Sequence, residues 1–404
     1  IRDRITIVGL GPAGLDRVAP PGRAALEDDA ATIVLRTVQH PAAAELAAIR
    51  NVESCDDLYE DAADYDSLYG QIAERVCAAP GPVVYAVPGS ALVGERAVAL
   101  IREMADDASR PVTVHAGESF IDLALGAVGV DPIADGLQVL DARQLPDPMP
   151  LHLPTLFTQI DSAGTAADLG DELGKVLAHD TPIVLLSNLG AAEELIRATT
   201  VAALPLADTG PRVTAYLEAQ EAGWIGLIHT NRSLRQQCPW DRKQTHHSLL
   251  KHLVEETYET IDAIQELSNA APGGEVDFGA YADVEEELGD LLLQVVFHAT
   301  MAREAGAFDV EEVAEGIRRK LIARHPHVFA DLELHDAAAV EANWERLKAE
   351  EKRRESPMDD VPAALPGLAR AEKMQRRAAS VGFDWHEFAP ILAKLREEVD
   401  ELAA

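Results

Sequence analysis

Three cysteines in 404 residues, Cys55, Cys77 and Cys238, are too few, too scattered and odd in number for a disulfide framework. None forms the Cys-x-x-Cys pair of a thiolate zinc site, so they read as reduced thiols. Long apolar runs are also missing: no stretch of eighteen uncharged apolar residues occurs. The N-terminus passes from Ile1-Arg2-Asp3-Arg4 straight into strand-like sequence without a signal-peptide pattern. Both absences argue against a membrane partner and point to a soluble, cytoplasmic protein. Positive charge is scarce. Lys plus Arg number 35 against 69 Asp plus Glu, a formal net charge of −34. Such a surface repels polyanions, which excludes a nucleic-acid polymer as the main partner. An initiator Met is lacking too, and a helix-like stretch is still running at Glu397–Ala404, so the chain reads as a fragment.

What is present fills real cores: 47% of the residues are hydrophobic, and the length exceeds what one core sustains, so two or three domains are expected. Residues 1–218 alternate short apolar runs (Ile5–Val8, Ile33–Leu35, Val83–Val87, Val112–Val114, Leu156–Ile160, Ile183–Leu186, Val213–Leu217) with helical segments, the pattern of an α/β domain. A Pro-, Asp- and Gly-rich stretch at 131–150 divides it into lobes of about 1–115 and 116–218, with a cleft between them. After a linker at 219–232 strand signals nearly vanish, and 233–355 reads as all-α. Residues 356–404 are a linker and a further helical piece.

The acids that matter lie on two apolar helices. In 249–264, Leu250, Leu253, Val254, Ile261 and Ile264 recur at helical spacing and form one face, with Glu255, Glu256 and Glu259 on the other side. A solvated acidic face is the simpler reading of that segment alone. The second helix, from Glu285 to His298, is apolar nearly all round and therefore expected to be buried, yet Glu287, Asp290, Gln294 and His298 fall in one narrow arc. Charges on a buried helix are costly unless paired or metal-bound. Two helices each offering acids at i and i+3 can gather four carboxylates, Glu256, Glu259, Glu287 and Asp290, around a hard divalent cation such as Mg²⁺ or Mn²⁺.

The runs Cys238-Pro-Trp-Asp241, Leu253–Ile264, Glu286–Ala299 and Arg324–Asp331 closely resemble the MazG family of nucleoside triphosphate pyrophosphohydrolases, whose ExxE and ExxD pattern is met by Glu256, Glu259, Glu287 and Asp290. The resemblance covers about residues 233–355. It implies hydrolysis of an NTP or dNTP between the α and β phosphates, with those four carboxylates as metal ligands and catalytic groups. It also implies substrate contacts from Lys320 and Arg324 and from Trp344 and Lys348, the Trp as a stacking face and the cations for phosphate. It further implies a homodimer formed by helix packing, and clearance of non-standard or surplus nucleotides. Glu255 and Glu286 read as flanking groups, Trp240 as a packing anchor, and His325 and His327 as turn-stabilising.

At the N-terminus Gly9-Leu-Gly11-Pro-Ala-Gly14 follows a strand, formally a dinucleotide loop, but the next strand ends at Arg36 rather than at an acid, which ranks an NAD site low. With Tyr85–Val98 and Ala116–Asp122, the domain resembles the tetrapyrrole (corrin/porphyrin) methylases over about residues 3–218. That resemblance implies two α/β lobes with S-adenosylmethionine in the cleft near Gly9, Gly11, Gly89 and Ser119. In place of that family's Gly-Asp-Pro the chain has Gly89-Ser90-Ala91, which leaves an active methylase and a degenerate binding domain both open. Glu398-x-x-Glu401 looks like the first half of a second MazG unit that stops before any second ExxD. The expected whole is a two-lobed, methylase-like α/β domain fused to an all-α MazG-type bundle. Its rival is an S-adenosylmethionine-dependent methyltransferase with an accessory helical domain.

Overall fold

The computed structural model of the chain describes residues 3–61, 64–330, 332, 336, 337, 339, 340, 343, 344, 346, 347, 356, 358, 359, 361–379, 381–385 and 387–403. It divides into two compact units, Ile1–Arg242 and Lys243–Ala404. In the first, β1 (Ile5–Gly9), α1 (Pro20–Leu26), β2 (Thr32–Leu35), α2 (Pro41–Ile49), β3 (Glu53–Ser54), α3 (Asp56–Asp61), α4 (Tyr65–Ala78), β4 (Val83–Val87), α5 (Arg96–Asp107) and β5 (Val112–His115) build one sheet of order β3-β2-β4-β1-β5. Every pairing in it is parallel. Because side chains alternate across a strand, the sheet feeds two cores. Ile5, Ile7, Val34, Val83, Tyr85 and Val87 pack on one face against α4 and α5 residues such as Ile72 and Ile101. Val8, Ile33, Leu35, Val84 and Ala86 pack on the other with Leu26 and Leu46.

After α6 (Phe120–Val128) come β6 (Gln138–Asp141), β7 (Thr155–Thr158), α7 (Ala163–Gly174), β8 (Pro182–Ser187), β9 (Leu195–Thr200) and β10 (Val213–Leu217), a mixed sheet of order β6-β7-β10-β8-β9. Its core holds Phe157, Leu185, Ala215 and Leu217 against Ala166, Leu169 and Leu173 of α7. The segment 219–232, expected as a linker, is instead most of a helix, α8 (Gly223–Gln237). Two weak helix formers, Gly223 and Gly226, mask it in the sequence, but Ile228 and Asn231 are buried, so packing overrides propensity.

One ion pair lies deep in the first unit. Arg36, at the end of β2, meets Glu95, whose side chain is only 4% exposed, and also donates to the Tyr59 hydroxyl at 2.9 Å. Burial pushes the Glu95 carboxyl up to about 7 despite the opposing guanidinium. A carboxyl that binds its proton more tightly in the folded state makes folding less favourable as pH rises from its unfolded value toward 7, with no further loss above that. Glu95→Gln is therefore expected to remove a fall in stability on the order of 3 kcal/mol between about pH 4.5 and 7. Thermal unfolding of parent and variant at pH 5 and pH 8 checks this; parallel shifts in the two proteins would refute it.

The second unit is helical: α9 (Leu250–Glu266), α10 (Phe278–Glu304), α11 (Val310–Arg324), α12 (Pro326–Phe329), α13 (Gly367–Ala379) and α14 (Phe388–Ala403). Asp277 caps α10 by accepting from Gly279 N and Ala280 N, and Asp309 with Glu312 forms a capping box at α11. Leu249, Phe297 and Met301 form a small core beneath α9 and α10. No helix among the described residues is long and apolar enough to cross a membrane.

Candidate active site

The α9–α10 pair is joined at its middle by Thr260, a buried residue whose hydroxyl lies 3.2 Å from the Glu287 carbonyl. The same hydroxyl lies 2.6 Å from the Glu256 carbonyl of its own helix, so Thr260 marks the side of α9 that is rotated toward α10. Glu256, one turn before Thr260, is turned toward α10, where Glu287 and Asp290 are one turn apart. One carboxylate oxygen from each of Glu256, Glu287 and Asp290 can be chosen so that all lie within 4.8 Å of one another, and this is the only group of three or more potential ligands among the described residues. Glu259, the fourth expected ligand, is not in that group; it is exposed on α9, close enough to Glu256 and Glu287 to raise the pKa of both. Loss of solvent, then the neighbouring Asp290 and Glu259, raises the Glu256 pKa; loss of solvent, then Glu259 and Asp290, does the same to Glu287. Glu287 Oε2 is buried without a hydrogen-bond partner.

The same rotation corrects an expectation. Leu250, Val254, Ile261 and Ile264, read as the packed face of α9, are exposed, and so are Leu288, Leu292 and Val295 on the supposedly buried α10. The half of α10 that is buried begins near Gln294 and includes Val296, Phe297 and Ala299–Ala302. The acids thus face the neighbouring helix while much apolar surface faces out.

The expected phosphate and base contacts are placed unevenly. Lys320 is exposed on α11. Arg324 lies with its guanidinium 5.3 Å from the Trp344 ring centre, and the His325 ring meets the same indole edge-on at 4.8 Å. The Trp344 surface expected to stack on a base is therefore shared with the protein's own cation and imidazole. His325 donates from Nδ1 to the Leu321 carbonyl at 2.7 Å, fixing the turn. Lys348 lies outside the described residues. Trp240, read as an anchor, is 54% exposed. Glu398 and Glu401 are exposed on α14, Glu398 paired with Lys394 at 3.1 Å.

In the first unit, Gly11 and Gly89 exchange backbone hydrogen bonds at 3.0 and 2.9 Å, both with positive φ, and line a cavity of about 190 Å³ with His40, Phe120, Gln159 and Arg212. Gly9 does not line it: a Cβ there would sit 1.9 Å from the Ala116 carbonyl oxygen, so this glycine lets two loops touch. Ser119 is absent from the lining too, and its hydroxyl caps α6 by accepting from Ile121 N. His40 escaped the sequence reading. Its Nε2 donates to the Gly11 carbonyl at 2.9 Å, leaving a buried Nδ1 without a partner. Of the four residues expected near S-adenosylmethionine, Gly11 and Gly89 thus line the cavity and Gly9 and Ser119 do not.

Residues 244–329 match the MazG nucleotide pyrophosphohydrolase domain. The chain is 35% identical over 388 residues to the uncharacterized protein YabN of Bacillus subtilis, covering 92% of this chain and 76% of that one. It is 34% identical over 267 residues to the nucleoside triphosphate pyrophosphohydrolase of Mycolicibacterium smegmatis, covering 63% of this chain and 72% of that one. To the Escherichia coli enzyme of the same name it is 46% identical over 168 residues, 41% of this chain and 59% of the relative's length. Among solved structures, diphthine synthase is similar over 55% of this chain and 92% of its own, at 17% identity and a TM-score of 0.42. The chain belongs to the MazG family and carries its nucleotide pyrophosphohydrolase domain.

Proposed function

We propose that the chain hydrolyses nucleoside triphosphates between the α and β phosphates, giving the monophosphate and pyrophosphate. The observation that carries this is the approach of Glu256, Glu287 and Asp290 from two helices, with one of the Glu287 oxygens buried and unpartnered. Like charges held this close, with Glu256 and Glu287 half-buried and Asp290 exposed at their edge, call for a cation between them. The all-oxygen donor set fits Mg²⁺ or Mn²⁺, with Glu259 as the fourth carboxylate. When bound, such a cation offsets the charge of phosphate oxygens and lowers the pKa of an attacking water.

The chain's own part is positional. A water oxygen bonds to the α phosphorus as the bridging bond to the β phosphate breaks, pyrophosphate departs, and the water's proton passes to a glutamate of the cluster. Lys320 and Arg324 supply the positive charge that the four acids lack, and Trp344 holds Arg324 in place. Removal of surplus or non-standard nucleotides is the role that suits this reaction. The exposed apolar stripes of α9 and α10 are covered by a second copy, forming a homodimer. Pyrophosphate release from a full panel of NTPs and dNTPs tests the reading. Turnover is expected with Mg²⁺ and none with excess chelator; release of orthophosphate instead, or no release from any nucleotide, would sink it.

A further inference from the structure

Beyond Asp290 the polar arc of α10 continues through two residues that the hydrolytic cluster does not use. Gln294 is one turn on and His298 a second turn on, so both share the face that carries Glu287 and Asp290. Gln294 is 7% exposed, and its Oε1 is buried with no hydrogen-bond partner. His298 Nε2 is likewise buried and unpartnered. Its Nδ1 lies 2.8 Å from Nδ1 of His246, and the two rings stack at 5.1 Å and 16°, which fixes the imidazole in place. Buried polar atoms are nearly always paired, so two orphans on one helical face, in line with a candidate reaction centre, point to a partner that arrives with the substrate.

The chemistry of the orphan selects which part of the substrate that is. A carboxamide oxygen accepts hydrogen bonds and repels other acceptors. The ionised triphosphate chain offers only acceptors, whereas the nucleoside offers donors in its ribose hydroxyls and base N–H groups. We propose that Gln294 reads the nucleoside half of the substrate, accepting a hydrogen bond from a ribose hydroxyl or a base N–H, with the His298–His246 pair forming the wall behind it. Gln294 is on this view a recognition residue whose face begins at the carboxylates. The inference rests on the proposed pyrophosphohydrolase reaction.

The test uses the full chain with Mg²⁺ and compares parent with Gln294→Met, which keeps the length and flexibility of the side chain, and with Gln294→Leu should the first misfold. Steady-state pyrophosphate release is measured on ribo- and 2′-deoxynucleotides of each base, together with inhibition by inorganic tripolyphosphate, a probe that has no nucleoside. The variant is expected to lose roughly 10- to 100-fold in kcat/KM, mainly through KM, while tripolyphosphate inhibits both proteins equally. A loss confined to ribonucleotides assigns the bond to the 2′ hydroxyl, a loss confined to certain bases assigns it to the base, and a uniform loss assigns it to the 3′ hydroxyl. Unchanged kcat/KM on every nucleotide, or tripolyphosphate inhibition weakened in parallel, would overturn the assignment. A parent that releases no pyrophosphate fails the hydrolase reading itself.

Discussion

Glu287→Gln is expected to lower pyrophosphate release by a factor of roughly 10³ or more, because it removes one of the three carboxylates that converge from two helices. Glutamine matches glutamate in shape and α10 is otherwise unchanged, so the loss is chemical rather than structural. Without divalent cation the sign reverses. Loss of solvent, with Glu259 and Asp290 close by, raises the Glu287 pKa, so neutralising the side chain relieves repulsion and leaves the melting temperature equal to or above that of the parent. With Mg²⁺ at about 100 times its Kd the parent gains roughly 2.7 kcal/mol, and the variant gains less at the same concentration. Glu286→Gln, one residue earlier and about 100° round the helix, serves as the control and keeps its rate. Pyrophosphate release paired with melting curves at several Mg²⁺ concentrations decides the matter. Equal activity, or equal stabilisation by Mg²⁺ in parent and variant, would remove Glu287 from the site.

The carboxylate motif was legible because spacing on a helix is nearly a coordinate: acids at i and i+3 must share a face. Parallel strands such as β1 and β4 were legible for a similar reason, their unbroken apolar runs requiring burial on both sides. Four other features were not. Helix α8 was hidden by its glycines, and the short or exposed strands β3, β6 and β9 carry little apolar signal. Which side of α9 meets α10, the side that carries the buried Thr260, is a tertiary contact that no periodicity encodes. His40 was missed because its importance lies in a single hydrogen bond to Gly11, residues that only the fold brings together. Periodicity shows which residues share a face, and tertiary contacts decide what that face meets.

Leu292→Glu is expected to convert the proposed homodimer into monomers. On α9 the exposed apolar residues Leu250, Val254, Tyr258 and Ile261 fall at i, i+4, i+8 and i+11, and on α10 Tyr281, Leu288, Leu292 and Val295 fall at i, i+7, i+11 and i+14. These are spacings of helix seams, in which side chains of one helix fill the gaps of another. Contiguous apolar patches of this kind are rare on monomers, and the acidic chain gives no reason to leave them wet. A second copy offers the same two stripes, as a twofold interface requires. A glutamate placed there would be buried without a partner at a cost of several kcal/mol, which weakens association by a factor of roughly 10² to 10⁴. Sedimentation of parent and variant at micromolar concentration reads the outcome, and a monomeric parent would refute it. Activity gives a second reading, since α9 and α10 also hold the carboxylates: specific activity of the variant should fall with the loss of dimer, while Leu288→Met, which keeps the apolar surface, should retain both.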